Sequence, residues 1–293
     1  MRVAVIGANG QLGCDLCTAF LDSRCEVIQL NHDILDVADF DSAKRSLQQA
    51  KADVVVNTAA MHNVDACERE PARAFAVNGI GARNLAILSN DLDFVLFHIS
   101  TDYVFDGAKR APYVETDCPK PLNVYGNTKL AGEYFVQTIA KKHFILRVSG
   151  LYGTNPCRAK GGSNFVNLML KLAKERDELR VVDDEVLTPT YTEDIARQIV
   201  SMSEVKDYGL YHATAQGSCS WYRFAAKIFE LSGAKVKLSI AGPNEFPAKV
   251  PRPKYSVLEN SKLKALNLDV MPTWEDGLER YLKKIGTLSE TTR

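Results

Sequence analysis

The first thirteen residues constrain the fold more tightly than any other stretch of the chain. Met1-Arg2-Val3-Ala4-Val5-Ile6 is an apolar, β-branched run that breaks into Gly7-Ala8-Asn9-Gly10-Gln11-Leu12-Gly13, after which a helical pattern resumes. Strand, glycine loop and helix in that order read as the opening of a dinucleotide-binding unit. The glycines permit a tight turn, let the backbone approach a pyrophosphate and let the helix pack closely on the strand, while the helix N-terminus attracts the anion. The spacing is Gly-x-x-Gly-x-x-Gly, not the Gly-x-Gly-x-x-Gly of the main fingerprint. A plain glycine turn is the alternative reading.

Apolar, β-rich runs at residues 26–30, 53–57, 94–100 and 144–148 alternate with amphipathic stretches. This predicts an α/β fold, a doubly wound parallel sheet of the Rossmann type with helices on both faces. Ligands of such sheets bind at the carboxyl ends of the strands, and Asn57, Ser100, Thr101 and Ser149 all fall at or just past those ends. Beyond residue 150 the pattern loosens into glycine-rich connections, Gly150-Leu151-Tyr152-Gly153 and Gly161-Gly162-Ser163, between helices and short strands. Residues 1–150 are read as a dinucleotide-binding core and 151–293 as a smaller substrate-binding lobe, with segments at 193–202 and 209–213 returning to the core. The polar tail, 286–293, is expected to fray.

Two segments carry chemistry. Ser100-Thr101-Asp102-Tyr103 sets a hydroxyl at a strand end, and Tyr125-Gly126-Asn127-Thr128-Lys129 sets a phenol and an ammonium at i and i+4, on one face of a helix. An ammonium there stabilises the tyrosinate and lowers the phenol's pKa. Tyr125 can then protonate a carbonyl oxygen while a hydride arrives at its carbon, with Thr101 holding that oxygen. A Tyr-x-x-x-Lys pair alone also fits a solvated helix face. Its weight comes from the glycine loop upstream.

Composition narrows the partners. Lys plus Arg and Asp plus Glu both number 36, so no strong field draws the chain to nucleic acid or to an anionic membrane. No apolar run approaches the length of a membrane span, and the N-terminus enters a core strand directly; a cytoplasmic protein is expected. The seven cysteines, Cys14, Cys17, Cys25, Cys67, Cys118, Cys157 and Cys219, form no disulfide framework and read as reduced thiols, the Cys14/Cys17 pair as helix-packing residues. The five histidines, His32, His62, His98, His143 and His212, are too scattered for a metal site, and no metal is expected; His62 falls near the anticipated mouth of the active site.

Taken together, Gly7 to Gly13, Asn57-Thr58-Ala59-Ala60, the Ser100 to Gly107 run and Tyr125 to Glu133 resemble the extended short-chain dehydrogenase/reductases. Within that superfamily the chain resembles the dTDP-4-dehydrorhamnose reductase family. The Gly-Gln-Leu-Gly loop, Val64-Asp65-Ala66-Cys67-Glu68, Ser-Thr-Asp-Tyr-Val-Phe-Asp-Gly and Arg252-Pro253 follow in the expected order over nearly the whole chain. The resemblance implies an NAD(P)H-dependent oxidoreductase of nucleotide-sugar biosynthesis that reduces the C4 ketone of dTDP-4-dehydro-L-rhamnose to dTDP-L-rhamnose. Thr101, Tyr125 and Lys129 would be catalytic, with Lys129 also reaching the nicotinamide ribose. Implied cofactor contacts are Gly7, Asn9, Gly10, Gln11, Leu12, Gly13, Asn31, Asp36, Val37, Ala59, Ala60 and Met61, beside Tyr125 and Lys129; Asp36-Val37 equally fits a helix cap. Implied substrate contacts are Val64, Asp102, Tyr103 and Arg252.

The second strand ends Gln29-Leu30-Asn31-His32, without the carboxylate that would repel a 2′-phosphate. NADPH therefore fits, as does NADH, and Arg2 and His32 are the basic candidates for the phosphate. Two departures concern the substrate pocket. A tryptophan usual in the family is replaced by Gly150, with Tyr152 or Tyr103 available to fill its space, and Asp183 to Thr190 keeps the Asp and Pro-Thr of the family but not its Gln and Gly. Two other readings stay open: a non-catalytic NADP-binding regulatory subunit resembling methionine adenosyltransferase β, and a reductase or epimerase of another nucleotide sugar. A homodimer is left open as the assembly.

Overall fold

A computed structural model describes residues 1–157, 161–242, 245–246 and 248–289. Residues 290–293 of the tail expected to fray lie outside the described residues. The first half builds a run of strands and helices: β1 (Arg2–Ile6), α1 (Gln11–Asp22), β2 (Glu26–Leu30), α2 (Phe40–Ala50), β3 (Val54–Asn57), α3 (Val64–Arg69), α4 (Pro71–Phe75), α5 (Gly81–Asp91), β4 (Val95–Thr101), α6 (Val124–Ile139) and β5 (His143–Val148). A single π turn, Ala76–Ile80, joins α4 to α5.

Six parallel strands form the main sheet in the order β2, β1, β3, β4, β5 and then Gly209–His212, which returns from the second half of the chain to pair with β5. Parallel strands covered on both faces must be apolar throughout, and Val3, Ala4, Val5, Val55 and Val56 are all fully buried. The pleat sends alternate residues to opposite faces. Val3 and Val5 join Leu16 and Phe20 of α1 and Ile195 and Ile199 of the Thr192–Met202 helix. Ala4 and Ile6 join Leu47, Leu85 and Val136 from α2, α5 and α6. A separate core gathers residues that follow Gly150, among them Tyr152, Phe224, Ile228, Leu278 and Tyr281.

Strand order reverses at β1, which has β2 on one side and β3 on the other. The carboxyl ends of β1 and β3 therefore border the switch point where such sheets take ligands. The glycine loop closes onto the start of α1 so tightly that a Cβ on Gly13 would lie 2.1 Å from the carbonyl oxygen of Gly7.

Helix α6 is fixed to the sheet by a buried ion pair. Arg147 of β5 donates to Glu133 of α6 through Nη2 at 2.6 Å and Nε at 2.9 Å, and both side chains are buried. Ser100 Oγ donates to Glu133 Oε1 at 2.5 Å, and the guanidinium lies 5.0 Å from the ring of Phe105. His212 Nε2 sits 3.5 Å from Arg147 Nη1, while His212 Nδ1 faces the carbonyls of Tyr113 and Glu259. Those carbonyls require a proton on Nδ1 and leave Nε2 to accept from Arg147. Burial, with Arg147 second, pushes His212 down to about 3, so the imidazole stays neutral. Because an unpaired buried carboxylate costs about 3–5 kcal/mol, Arg147→Met should lower unfolding free energy by that amount in urea titrations, and adding Glu133→Gln should restore most of it.

Candidate active site

Thr101 closes β4, and its Oγ1 accepts from Tyr103 N at 3.2 Å, capping a short 3-10 turn, Asp102–Val104. Helix α6 opens after Asn123, whose Oδ1 accepts from Gly126 N at 2.9 Å, so Tyr125 lies in the first turn. A Cβ on Gly126 would stand 2.3 Å from Tyr103 O; this close approach of helix to turn brings Thr101 and Tyr125 together. Burial pushes the Tyr125 phenol above its ordinary range, and a hydrogen bond with Thr101 pulls it back. Tyr103 meets Tyr125 edge-on, with ring centres 5.7 Å apart.

Lys129 differs from the expectation drawn from spacing. It is 2% exposed, and its Nζ donates into the sheet, to Ile99 O at 2.6 Å, with His98 Nε2 at 3.4 Å. Its long stem carries the amine from α6 to β4, and burial is the largest influence on the Tyr125 phenol, which it raises. Burial lowers Lys129 to about 8, against the opposing pull of Glu133.

Asp102, expected at the sugar, is 4% exposed. Its carboxylate accepts from Thr101 Oγ1 at 3.1 Å, Ser149 Oγ at 2.9 Å and Ser256 Oγ at 2.5 Å. Burial raises its pKa, with the three hydroxyls acting the other way. Its oxygens are thus occupied by the protein. Arg252 lies in a loop tethered to the head of α6 by Asn123 Nδ2, which donates to Pro251 O at 2.9 Å. Among the described residues its Nε is buried without a hydrogen-bond partner, and its charge acts on Tyr103, whose phenol burial and Asp102 raise. Val64 begins α3, and Glu68 of that helix accepts from Val124 N at 3.1 Å, joining α3 to the start of α6.

The glycine loop and the loop after β3 touch: Thr58 Oγ1 donates to Ile6 O at 2.7 Å and would lie 2.6 Å from a Cβ on Gly7, whose φ is +79°. Gly10, whose own N–H donates to Gly7 O at 2.9 Å, precedes α1 with no side-chain cap among the described residues, leaving N–H groups of the helix's first turn for an anion. Leu12 points into the core, so only its backbone can face a cofactor. Gln11 Nε2 donates to Gly153 O at 3.3 Å and Asn155 O at 3.2 Å, bridging to the second half of the chain. Asn31 Oδ1 accepts from Asp33 N at 3.0 Å in its own turn. Arg2, a candidate for the 2′-phosphate, stands at the amino edge of the sheet, paired with Glu26 at 3.2 Å, the full length of β1 away from the loop. That leaves His32 as the basic candidate.

Two asparagines were missed in the sequence. Asn78, in the π turn, accepts from Met61 N and donates to Met61 O, both at 2.9 Å, fixing the segment after Ala59 and Ala60. Asn84 Nδ2 donates to Val37 O at 3.0 Å and Ala38 O at 3.3 Å, while Asp36 Oδ1 accepts from Ala38 N at 2.9 Å. Their signal is an amide set among the buried residues of a helical stretch.

Gly150 has φ +56°, and a Cβ there would come within 2.9 Å of both Thr188 O and Leu187 Cδ1. Tyr152 is packed among Tyr191, Phe224 and Tyr281, so it does not fill the place of the usual tryptophan. Tyr103 stands beside Tyr125 at the end of β4. His62 Nε2 lies 3.5 Å from Cys157 Sγ.

A doubly wound sheet, an uncapped glycine-rich helix start at its switch point, and a hydroxyl, a tyrosine and a lysine gathered at its carboxyl edge define a reductase of the extended short-chain dehydrogenase/reductase class. A family model described as the RmlD substrate binding domain matches residues 1–287. A spore coat polysaccharide biosynthesis protein of Bacillus subtilis is 40% identical over 97% of this chain and 97% of its own length. A dTDP-4-dehydrorhamnose reductase of Clostridium acetobutylicum superposes with TM-score 0.93 at 40% identity, covering 98% of this chain and 100% of that one. Another from Bacillus anthracis, solved with NADP, gives 0.92 at 38%, covering 97% and 99%. The chain belongs to the dTDP-4-dehydrorhamnose reductase family.

The left-handed backbone at Gly150 generates a prediction. Any L side chain there costs about 1–2 kcal/mol from conformation alone. Gly150→Ala should lower the urea midpoint accordingly, and Gly150→Trp should lower it further without tightening substrate binding; a stable, tighter-binding tryptophan variant would contradict this geometry.

Proposed function

We propose that the chain uses NADPH to reduce the C4 ketone of dTDP-4-dehydro-L-rhamnose, giving dTDP-L-rhamnose. The observation that carries the reading is the contact of Gly126 with Tyr103 O, which sets the Tyr125 phenol against the Thr101 hydroxyl at the carboxyl edge of β4. The names of the related reductases, one of them solved with NADP, support the substrate and cofactor.

The residues present fit the cofactor. The cradle at Gly7, Gly10 and Gly13 would be filled by side chains, and the first turn of α1 offers N–H groups to a pyrophosphate. The Asp36-Val37 loop, Ala59-Ala60-Met61 and Lys129 line the way to the reacting edge, and NADPH supplies the hydride when bound. Tyr125, its phenol raised by burial, is protonated at neutral pH, the state a general acid needs. Thr101 directs its hydroxyl proton at Asp102; rotation about one bond turns it to the ketone oxygen. Tyr103, Val64 and Arg252 take the sugar and diphosphate, while Asp102 positions Thr101.

Loss of NADPH absorbance on adding dTDP-4-dehydro-L-rhamnose tests the reading. Tyr125→Phe should reduce turnover at least about a hundredfold, the scale of general acid catalysis, with NADPH affinity by fluorescence titration nearly unchanged. Native protein that binds NADPH yet turns over no nucleotide keto sugar would replace this function with that of a regulatory NADP-binding subunit.

A further inference from the structure

His98 and Asn57 have no part in the steps above, yet both are buried, 1% and 2% exposed, next to Lys129. They are register partners on β4 and β3. Their hydrogen bonds fix the proton on the imidazole. Asn57 Oδ1 accepts from the backbone N–H of Ala59 at 3.1 Å, a donor that cannot be exchanged for an acceptor. The amide is therefore not reversible, and its Nδ2 must donate. The atom it meets, 3.1 Å away, is His98 Nδ1. An accepting Nδ1 leaves the proton on Nε2, and Nε2 lies 3.4 Å from Lys129 Nζ. An N–H aimed at an ammonium repels it; aimed at the lone pair of a neutral amine, it forms a hydrogen bond.

We infer that Asn57 and His98 are a positioning pair for Lys129, presenting the imidazole N–H to its amine so that the uncharged form is stabilised against the ammonium. The pair thereby helps set the pH above which Lys129 gives up its charge, and the inference rests on the proposed reductase only for its activity readout. The other groups facing the amine act differently. Glu133, one turn on in α6, favours the ammonium but is itself paired with Arg147 of β5, and Tyr125, one turn back, is a neutral phenol at these pH values. A second proton on His98 is opposed by burial and by Lys129, so the imidazole is neutral at neutral pH.

Nitrogen-15 NMR of histidine-labelled native protein, with His98 assigned by its loss in His98→Gln, reads the tautomer without turnover. A neutral ring protonated on Nε2 is expected; a proton on Nδ1, or an imidazolium at pH 7, overturns the inference. Asn57→Asp sets a carboxylate against Nδ1, which should draw the proton there and leave Nε2 to accept from Lys129. The ammonium then persists to higher pH. The alkaline limb of both turnover and NADPH affinity, expected near pH 8 in native protein, should move up by about one unit, the size of an ordinary local perturbation. His98→Gln retains an N–H toward the amine and should leave the limb in place. Loss of stability in both variants with the limb unmoved marks a merely structural pair and overturns the proposal. Native protein without turnover leaves the tautomer and the NADPH-binding profile to decide, so failure of the assigned reaction is distinguishable from failure of this pair.

Discussion

A carboxylate and a guanidinium closed off from water, Glu133 and Arg147, hold the architecture of the site. Taken singly, either charge would be expelled from the interior; together, with Ser100 and His212 satisfying the remaining positions, they lock α6 across β4 and β5. The reacting end of α6 depends on that lock. Lys129 lies about one turn and Tyr125 just over two turns from Glu133 in the same helix, and a small rotation of the helix would carry the phenol away from Thr101. Glu133 also pulls the Lys129 pKa upward, against the larger lowering by burial.

The helix starts around the crevice divide by chemistry. Helices α2, α3 and α6 are each closed by a side chain, Asp39, Asn63 and Asn123, whereas α1 starts at Gly10 with no such cap among the described residues. Open N–H groups at one helix start, beside backbone too crowded for side chains, suit a phosphate-bearing ligand. The loops that border this opening are held from behind by amides, Asn78 on Met61 and Asn84 on Val37, so the walls of the groove are set before any ligand arrives.

Much of this was legible in the sequence. Continuous apolar runs and the glycine loop point to a doubly wound sheet because burial on both faces leaves parallel strands no polar positions to vary. Tyr125 and Lys129 share a helix face because four residues make just over one turn. The direction of Lys129 was not legible: spacing gives the face of a helix, not the reach of a four-carbon stem, and Ile99 O lies 30 positions away in the sequence. Asp102 looked available to a sugar because its hydroxyl partners, Ser149 and Ser256, come from distant segments. Gly150 reads from the sequence as a missing aromatic; that its backbone is left-handed, which disfavours any side chain there, shows only in the structure. Arg2 looked like a phosphate partner until the direction of β1 placed it at the other edge.

Asp102 collects hydroxyls from residues 101, 149 and 256, the last of them 154 positions downstream. The sheet waits on the same late part of the chain: Ile195, Ile199, Tyr211, Leu263 and Met271 complete the core that Val3 and Val5 begin. The orientation of the hydroxyl at the end of β4 and the closure of the core beneath it therefore depend on the same distant segments, and neither is complete without the other.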